Sequence, residues 1–237
     1  MGESGEGVRR EAARGFRDLV PIAVGVAIYG LAFGVLAVQA SMDGLQVGVM
    51  GASVFGGASQ IVAAERLVAG AGAVAAAVAG IALNLRLLLV TASIREDFAG
   101  RPFWQVALGA HLTADENWAV MLAARARGER AGYWYLVGGG LCLFAVWIAS
   151  TLTGAFFAAA IPEPRALGMD FAFTAAFIAI ARSLWSGARD LLPWSAAFAI
   201  VAVSVGTGAL DASWALILGG VGGAVLAAFT GAEAGDG

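Results

Sequence analysis

Apolar runs about as long as a bilayer-crossing helix recur through the chain, parted by short clusters of Arg, Asp, Glu, Pro and Gly. A helix needs about 20 apolar residues to cross a hydrocarbon core about 30 Å thick. The runs fall near 19–40, 45–67, 72–94, 103–124, 132–161, 169–187, 191–208 and 212–230. Eight helices of that size take about 160 residues, which leaves connectors and two tails in a chain of 237. Composition agrees: 60% of residues are hydrophobic and 13% charged, whereas a water-soluble domain carries roughly 25% charged. That polar supply cannot cover a soluble globule and leaves no room for a soluble catalytic module. The expected fold is an all-α integral membrane protein, a polytopic bundle of about eight transmembrane segments. It divides into a tail at 1–18, one transmembrane domain at 19–230 and a tail at 231–237.

Arg9, Arg10, Arg14 and Arg17 precede the first run, like the basic region of a signal peptide. The stretch from Leu19 to Val38 is longer than the roughly 7–15 apolar residues of a cleaved signal, so a retained first helix is expected. With the amino terminus in the cytoplasm, inner connectors receive Arg66, Arg125, Arg127, Arg130, Arg182 and Arg189; outer ones receive Arg95, Arg101 and Arg165. This follows the positive-inside rule and places both termini inside, although one re-entrant segment would move the carboxyl terminus across. Cys142 lies in an apolar run and the chain holds one His, so no disulfide framework, metal site or other cofactor is expected.

Small residues four apart, Gly30 and Gly34, then Gly48, Ala52 and Gly56, then Gly219 and Gly223, share a helix face on which backbones approach closely. They mark packing rather than function. A weak echo aligns 57–71 with 174–188, for instance Ile61 with Ile178 and Gly70 with Gly187, and internal repeats are common in membrane transporters.

The informative residues are the polar ones at membrane depth, where an ionised side chain is costly and usually faces a cavity or a partner. Gly56-Gly57-Ala58-Ser59-Gln60 combines two helix-weakening glycines with two polar side chains. Two readings stand open. An interrupted helix could offer freed backbone groups to a small zwitterion, or the glycines could be a packing site with Gln60 bonded to a neighbouring helix. Asn84-Leu85-Arg86 puts a permanent cation inside the third run; it calls for an internal partner, a carboxylate, carbonyls or a substrate anion, in preference to snorkelling about 12 Å to the outer interface. The fourth run carries His111, Thr113, Asp115, Glu116 and Asn117. As one helix it would put His111, Asp115 and Trp118 on one face and Thr113 and Asn117 on another. A helix so polar around its girth is either buried or broken. Asp115 or Glu116 could pair with Arg86, hold an ammonium group or carry a proton.

Taken in order, these clusters resemble the AzlC-like family, the large subunits of bipartite branched-chain amino acid exporters. The likeness also uses Gly15-Phe16-Arg17 followed by Pro21, and Leu167-Gly168-Met169-Asp170-Phe171-Ala172-Phe173, and runs from Gly15 to at least Ile180. It implies a plasma-membrane permease that moves neutral amino acids outward, with a small AzlD-like membrane subunit as partner. Leu87 and Val90 stand where the family usually has His and Tyr after Asn84-Leu85-Arg86, and Thr174 stands where Pro is common. Two polar handles beside Arg86 are thereby lost, which bears on substrate identity and on proton transfer through that helix.

The leading reading is therefore a secondary transporter exporting a neutral amino acid, with Gly57, Ser59, Gln60, Asn84, Arg86, Asp115, Glu116 and Asn117 as candidate substrate-binding residues and Asp115 and Glu116 as proton carriers. Tyr29, Phe55, Trp118 and Phe177 could line its apolar part. No G-x-x-x-x-G-K loop is present to couple ATP directly, no G-x-S-x-G elbow supports a hydrolase, and neither an enzyme nor a nucleic-acid partner is expected. The alternatives are a permease or channel for another small solute, and a non-transporting assembly subunit.

Overall fold

The computed structural model describes residues 5–158, 185, 187–210 and 212–232, which are helical apart from short connectors. The chain divides into two compact units, Met1–Asp170 and Phe171–Gly237. The first contains α1 (Gly5–Gln39), α2 (Gly44–Val54), α3 (Gly57–Val68), α4 (Gly72–Ser93), α5 (Arg95–Phe98), α6 (Phe103–His111), α7 (Asp115–Ala126) and α8 (Tyr133–Phe157). The second contains a 3-10 turn (Ala188–Asp190), α9 (Leu191–Gly206) and α10 (Ala212–Ala232). By length and composition α1, α4, α8 and the 188–206 segment can each cross a membrane.

The first unit is built on α1 and α8, which run parallel. Glu11 accepts from the Gly132 amide at 2.6 Å, Asp18 accepts from the Tyr135 hydroxyl at 2.5 Å, and further along Gly30 meets Ser150. Glycine makes this contact possible: a Cβ on Gly15 or Gly138 would overlap the backbone of Tyr135 or Ala12, and one on Gly34 or Gly154 the backbone of Thr151 or Leu31. Backbones this close gain dispersion contacts that larger side chains would forbid. Gly30 and Gly34 thus serve packing, as their spacing indicates.

The 103–124 run is not one crossing helix. The Tyr133 hydroxyl donates to Gln105 O, His111 lies against Phe144, and a Cβ on Gly140 would overlap Leu112 O. So α6 descends along α8 from its start toward its middle. The chain then returns: Asn117 Nδ2 donates to Leu136 O, and Arg125 bonds Ala131 O and pairs with Asp97 on α5 at 2.6 Å. α6 and α7 are therefore a hairpin whose outer ends share one end of the unit.

The 45–67 run also doubles back. α2 starts level with Leu152 of α8, through Gly48, and ends with Phe55 against Phe144. α3 then runs antiparallel to α4, with Gly56 at Asn84 and Ser59 at Gly80. α4 continues past Arg86, paired with Asp115, to Ser93, bonded by Trp118, and Ile94, packed with Met121 and Tyr135 at the start of α8. Its other end, and the end of α3 with it, therefore lie toward the far end of α8, where α2 began. Hairpin plus long helix thus occurs twice in opposite directions, as α2–α3–α4 and as α6–α7–α8.

This corrects the expected topology. Arg95 and Arg101 share an end with Arg125, Arg127 and Arg130, and Arg66 lies at the opposite end, because both hairpins return to the side they left. Nor do Gly48, Ala52 and Gly56 form a packing stripe: α2 stops at Val54, Ala52 is exposed, and Gly51 joins Gly48 against α8. In the second unit α9 and α10 pack antiparallel, with Gly219 against Ala197 and Val201 and Gly223 against Pro193 and Ala197. The run at 169–187, the 174–188 side of the echo, Arg165 and Arg182 fall wholly or largely outside the described residues.

Candidate functional site

The two hairpin tips meet at the middle of α8. At the first, α2 ends because Phe55 adopts the left-handed conformation (φ 38°, ψ 52°), a region that costs a bulky residue energy. Gly56 caps α3 without a side chain, leaving the first amides of the helix uncapped. The Asn84 amide fills the space a Cβ on Gly56 would need, 2.6 Å from its Oδ1. Ser59 Oγ donates to Gly56 O, and the fully buried Gln60 donates through Nε2 to Met50 O at 2.7 Å. Residues 50 and 60 can meet because the chain has turned back between them.

The second tip has the same shape and different chemistry. Thr113 Oγ1 donates to Gly109 O across the end of α6. Asn117, fully buried, accepts from the Ala114 amide at 2.8 Å and donates to Leu112 O at 2.8 Å and Leu136 O at 3.0 Å. One side chain closes the turn and fixes it to α8. Asp115 and Glu116 open α7, where carboxylates complement the positive helix start.

Across the junction the Phe55 ring lies 6.2 Å from His111 and 5.2 Å from Phe144. Arg86 reaches from α4 to Asp115 at 2.8 Å, the internal partner its position calls for. Glu116 lies within electrostatic reach of Arg86 and Tyr29 and makes no ion pair among the described residues. The structure therefore gathers Gly57, Ser59, Gln60, Asn84, Arg86, Asp115, Glu116 and Asn117 around the two tips. It separates His111, in α6, from Asp115, in α7: the break at 112–114 removes the helical face they were expected to share, and that of Thr113 with Asn117.

Trp147 escaped the sequence reading. Its ring stacks on Phe33 at 5.7 Å and, with Tyr29, walls Gly57. The Trp147 Nε1, Tyr29 hydroxyl and Gln60 Oε1 are buried without hydrogen-bond partners, all beside the first tip. An aromatic residue in an apolar run reads the same whether it faces lipid or a site, so only its neighbours identify it.

A sequence model of the AzlC protein family matches residues 21–161, most of the first unit. The chain belongs to the AzlC family. It is thus a membrane protein of a transport family, and the matched region contains both hairpins and α4. No curated protein and no solved structure matches the chain. Three of the motifs that carried the resemblance, Gly57 to Gln60, Asn84 to Arg86 and Thr113 to Glu116, build the two tips and the link between them; Leu167 to Phe173 lies outside the described residues.

Proposed function

We propose that this AzlC-family protein is a secondary transporter that exports branched-chain or other neutral amino acids across the plasma membrane, together with a small AzlD-like membrane subunit. One observation carries the reading: two oppositely directed hairpins bring groups of complementary charge to one mid-helix junction. Uncapped amides at the start of α3, the Asn84 amide and Arg86 are donors suited to a carboxylate. Asp115 and Glu116 are acceptors suited to an ammonium group, and Tyr29, Phe55 and Trp147 give the junction apolar surface. Discontinuous helices whose half-helix ends face the solute are a recurrent solution for small charged substrates. Gln60 and Asn117 spend their amides on backbone carbonyls, which suits them to holding the tips.

An ion gradient is the energy source in this reading, with Glu116 the first candidate to carry a proton. The arginines support a cytoplasmic amino terminus: Arg9, Arg10, Arg14, Arg17, Arg95, Arg101, Arg125, Arg127 and Arg130 share one end of the first unit, against Arg66 at the other. That bias is the pattern of cytoplasmic connectors. Labelled valine or leucine efflux from proteoliposomes, with and without the small subunit, tests the assignment. Efflux driven by a pH gradient is expected, and Glu116→Gln is expected to remove the dependence on the gradient. Absence of efflux with both subunits present would refute amino-acid export; a gradient dependence unchanged in Asp115→Asn and Glu116→Gln would refute proton coupling through them.

A further inference from the structure

We propose that the Arg86–Asp115 ion pair is a latch that a zwitterionic solute opens by exchange. The solute's carboxylate replaces Asp115 on Arg86, and its ammonium replaces Arg86 on Asp115. This rests on the amino-acid reading and deepens it, since it names the charge pattern a solute must carry to move the two inverted halves.

The pair occupies the seam. Arg86 belongs to α4, the long helix of the first half, and Asp115 is the first residue of α7, at the tip of the second half's hairpin. The hairpin is held to its own long helix by Asn117 on Leu136 O, so releasing Arg86 from Asp115 frees α4 from the hairpin's tip and leaves the hairpin on α8. Among the described residues, polar ties also cross this seam toward its outer end, the Trp118 Nε1 bond to Ser93 Oγ at 3.0 Å and, just past α4, the Arg125–Asp97 ion pair at 2.6 Å. The pair is not sealed within the unit: the Arg86 and Asp115 side chains are 40% and 29% exposed.

Electrostatics then selects the solute. Removing one partner from an ion pair at membrane depth leaves an ionised side chain without compensation, which is costly. Parting Arg86 from Asp115 leaves an unpaired cation on α4 and, with Glu116 adjacent, two carboxylates at the start of α7. A neutral solute compensates neither side, and a singly charged solute compensates one. A zwitterion compensates both, and a guanidinium can donate to a carboxylate whether it comes from Asp115 or from a ligand. A ligand shifts a conformational equilibrium only through its differential affinity for the two states. Here that difference comes from the two opposite charges acting together.

The test uses the full chain purified in detergent and three probes of one carbon skeleton: valine, valinamide, which lacks the carboxylate, and 3-methylbutanoate, which lacks the ammonium. Valine is expected to raise the melting temperature in a saturable way, and the other two to leave it unchanged. The double variant Arg86→Gln with Asp115→Asn, which keeps a hydrogen-bonding pair without charge, is expected to remain monodisperse and to lose valine affinity at least tenfold. Stabilisation by valinamide or 3-methylbutanoate equal to that by valine would overturn the latch, as would wild-type valine affinity in the double variant. The wild-type comparison decides alone if the double variant does not fold. Valine-specific stabilisation with no efflux from proteoliposomes would sink the export reading and leave the latch standing.

Discussion

The two hairpin tips are alike in geometry and opposite in electrostatics. Each joins a half-helix of 11 or 9 residues to one of 12 and places an amide side chain just inside the second half-helix, Gln60 in one and Asn117 in the other. Each amide donates to a carbonyl of the strand of chain that led into the turn. At the first tip, however, the turn is made by Phe55 and two glycines, the helix start is uncapped, and three buried polar atoms lack partners. At the second, Asn117 closes the turn with three hydrogen bonds and two acids answer the helix start. The same backbone device thus serves as a donor-rich, incompletely satisfied surface on one side and a firmly tied, acidic one on the other. The proposed zwitterionic solute requires such a contrast; a symmetric pair of tips would give it no preferred orientation.

Substitutions can break this contrast. The largest effect is expected for Asn117→Leu, which leaves Leu112 O, Leu136 O and the Ala114 amide without their partner in a buried setting. At about 1 kcal/mol or more for each group, the loss should reach about 3 kcal/mol, seen as a fall in unfolding free energy in mild detergent. Gln60→Leu should cost less, about 1–3 kcal/mol, because one bond is lost, to Met50 O, and Oε1 already has no partner. If Gln60→Leu proved the more damaging, the second tip would not be the firmer of the two. Smallest of the three is Asp43→Ala. Asp43 and Gln46 form a reciprocal cap at the start of α2, at 2.8 and 2.9 Å, while α6 starts after Pro102 with no side-chain cap. Its removal should cost about 1 kcal/mol and leave solute affinity unchanged, since it lies at the outer end of the hairpin.

Much of the architecture is legible in hydropathy. The third run, expected at 72–94, is α4 at 72–93, and the run at 132–161 is α8 at 133–157. Polar residues at membrane depth pointed to both tips and to Arg86, because burying them is costly enough that a chain retains them only with partners. Gly56-Gly57 suggested an interruption, and α3 begins there, while Gln60 bonds the neighbouring half-helix as the packing reading expected. The face shared by His111 and Asp115 failed for one reason: helical spacing was carried across residues 112–114, where no helix exists. Trp147 was invisible because apolar runs do not record which aromatic faces a protein neighbour.

What the sequence determined by itself is the solvent of this protein and the places where its helices are weak. Hydropathy adds along the chain, so run lengths report membrane helices, and charges inside the runs report sites. Whether the chain continues or returns after a break is a different quantity. Two half-helices of about ten residues have the same length and the same hydropathy whether they cross the bilayer end to end or fold back side by side. Only packing chooses between these: Gly80 against Ser59 and Gly139 against Asn117 let each returning segment lie on its long helix, and Arg86 on Asp115 joins the two halves. Those contacts lie between residues distant in sequence, and they decided that the polar tips approach the same point from opposite directions.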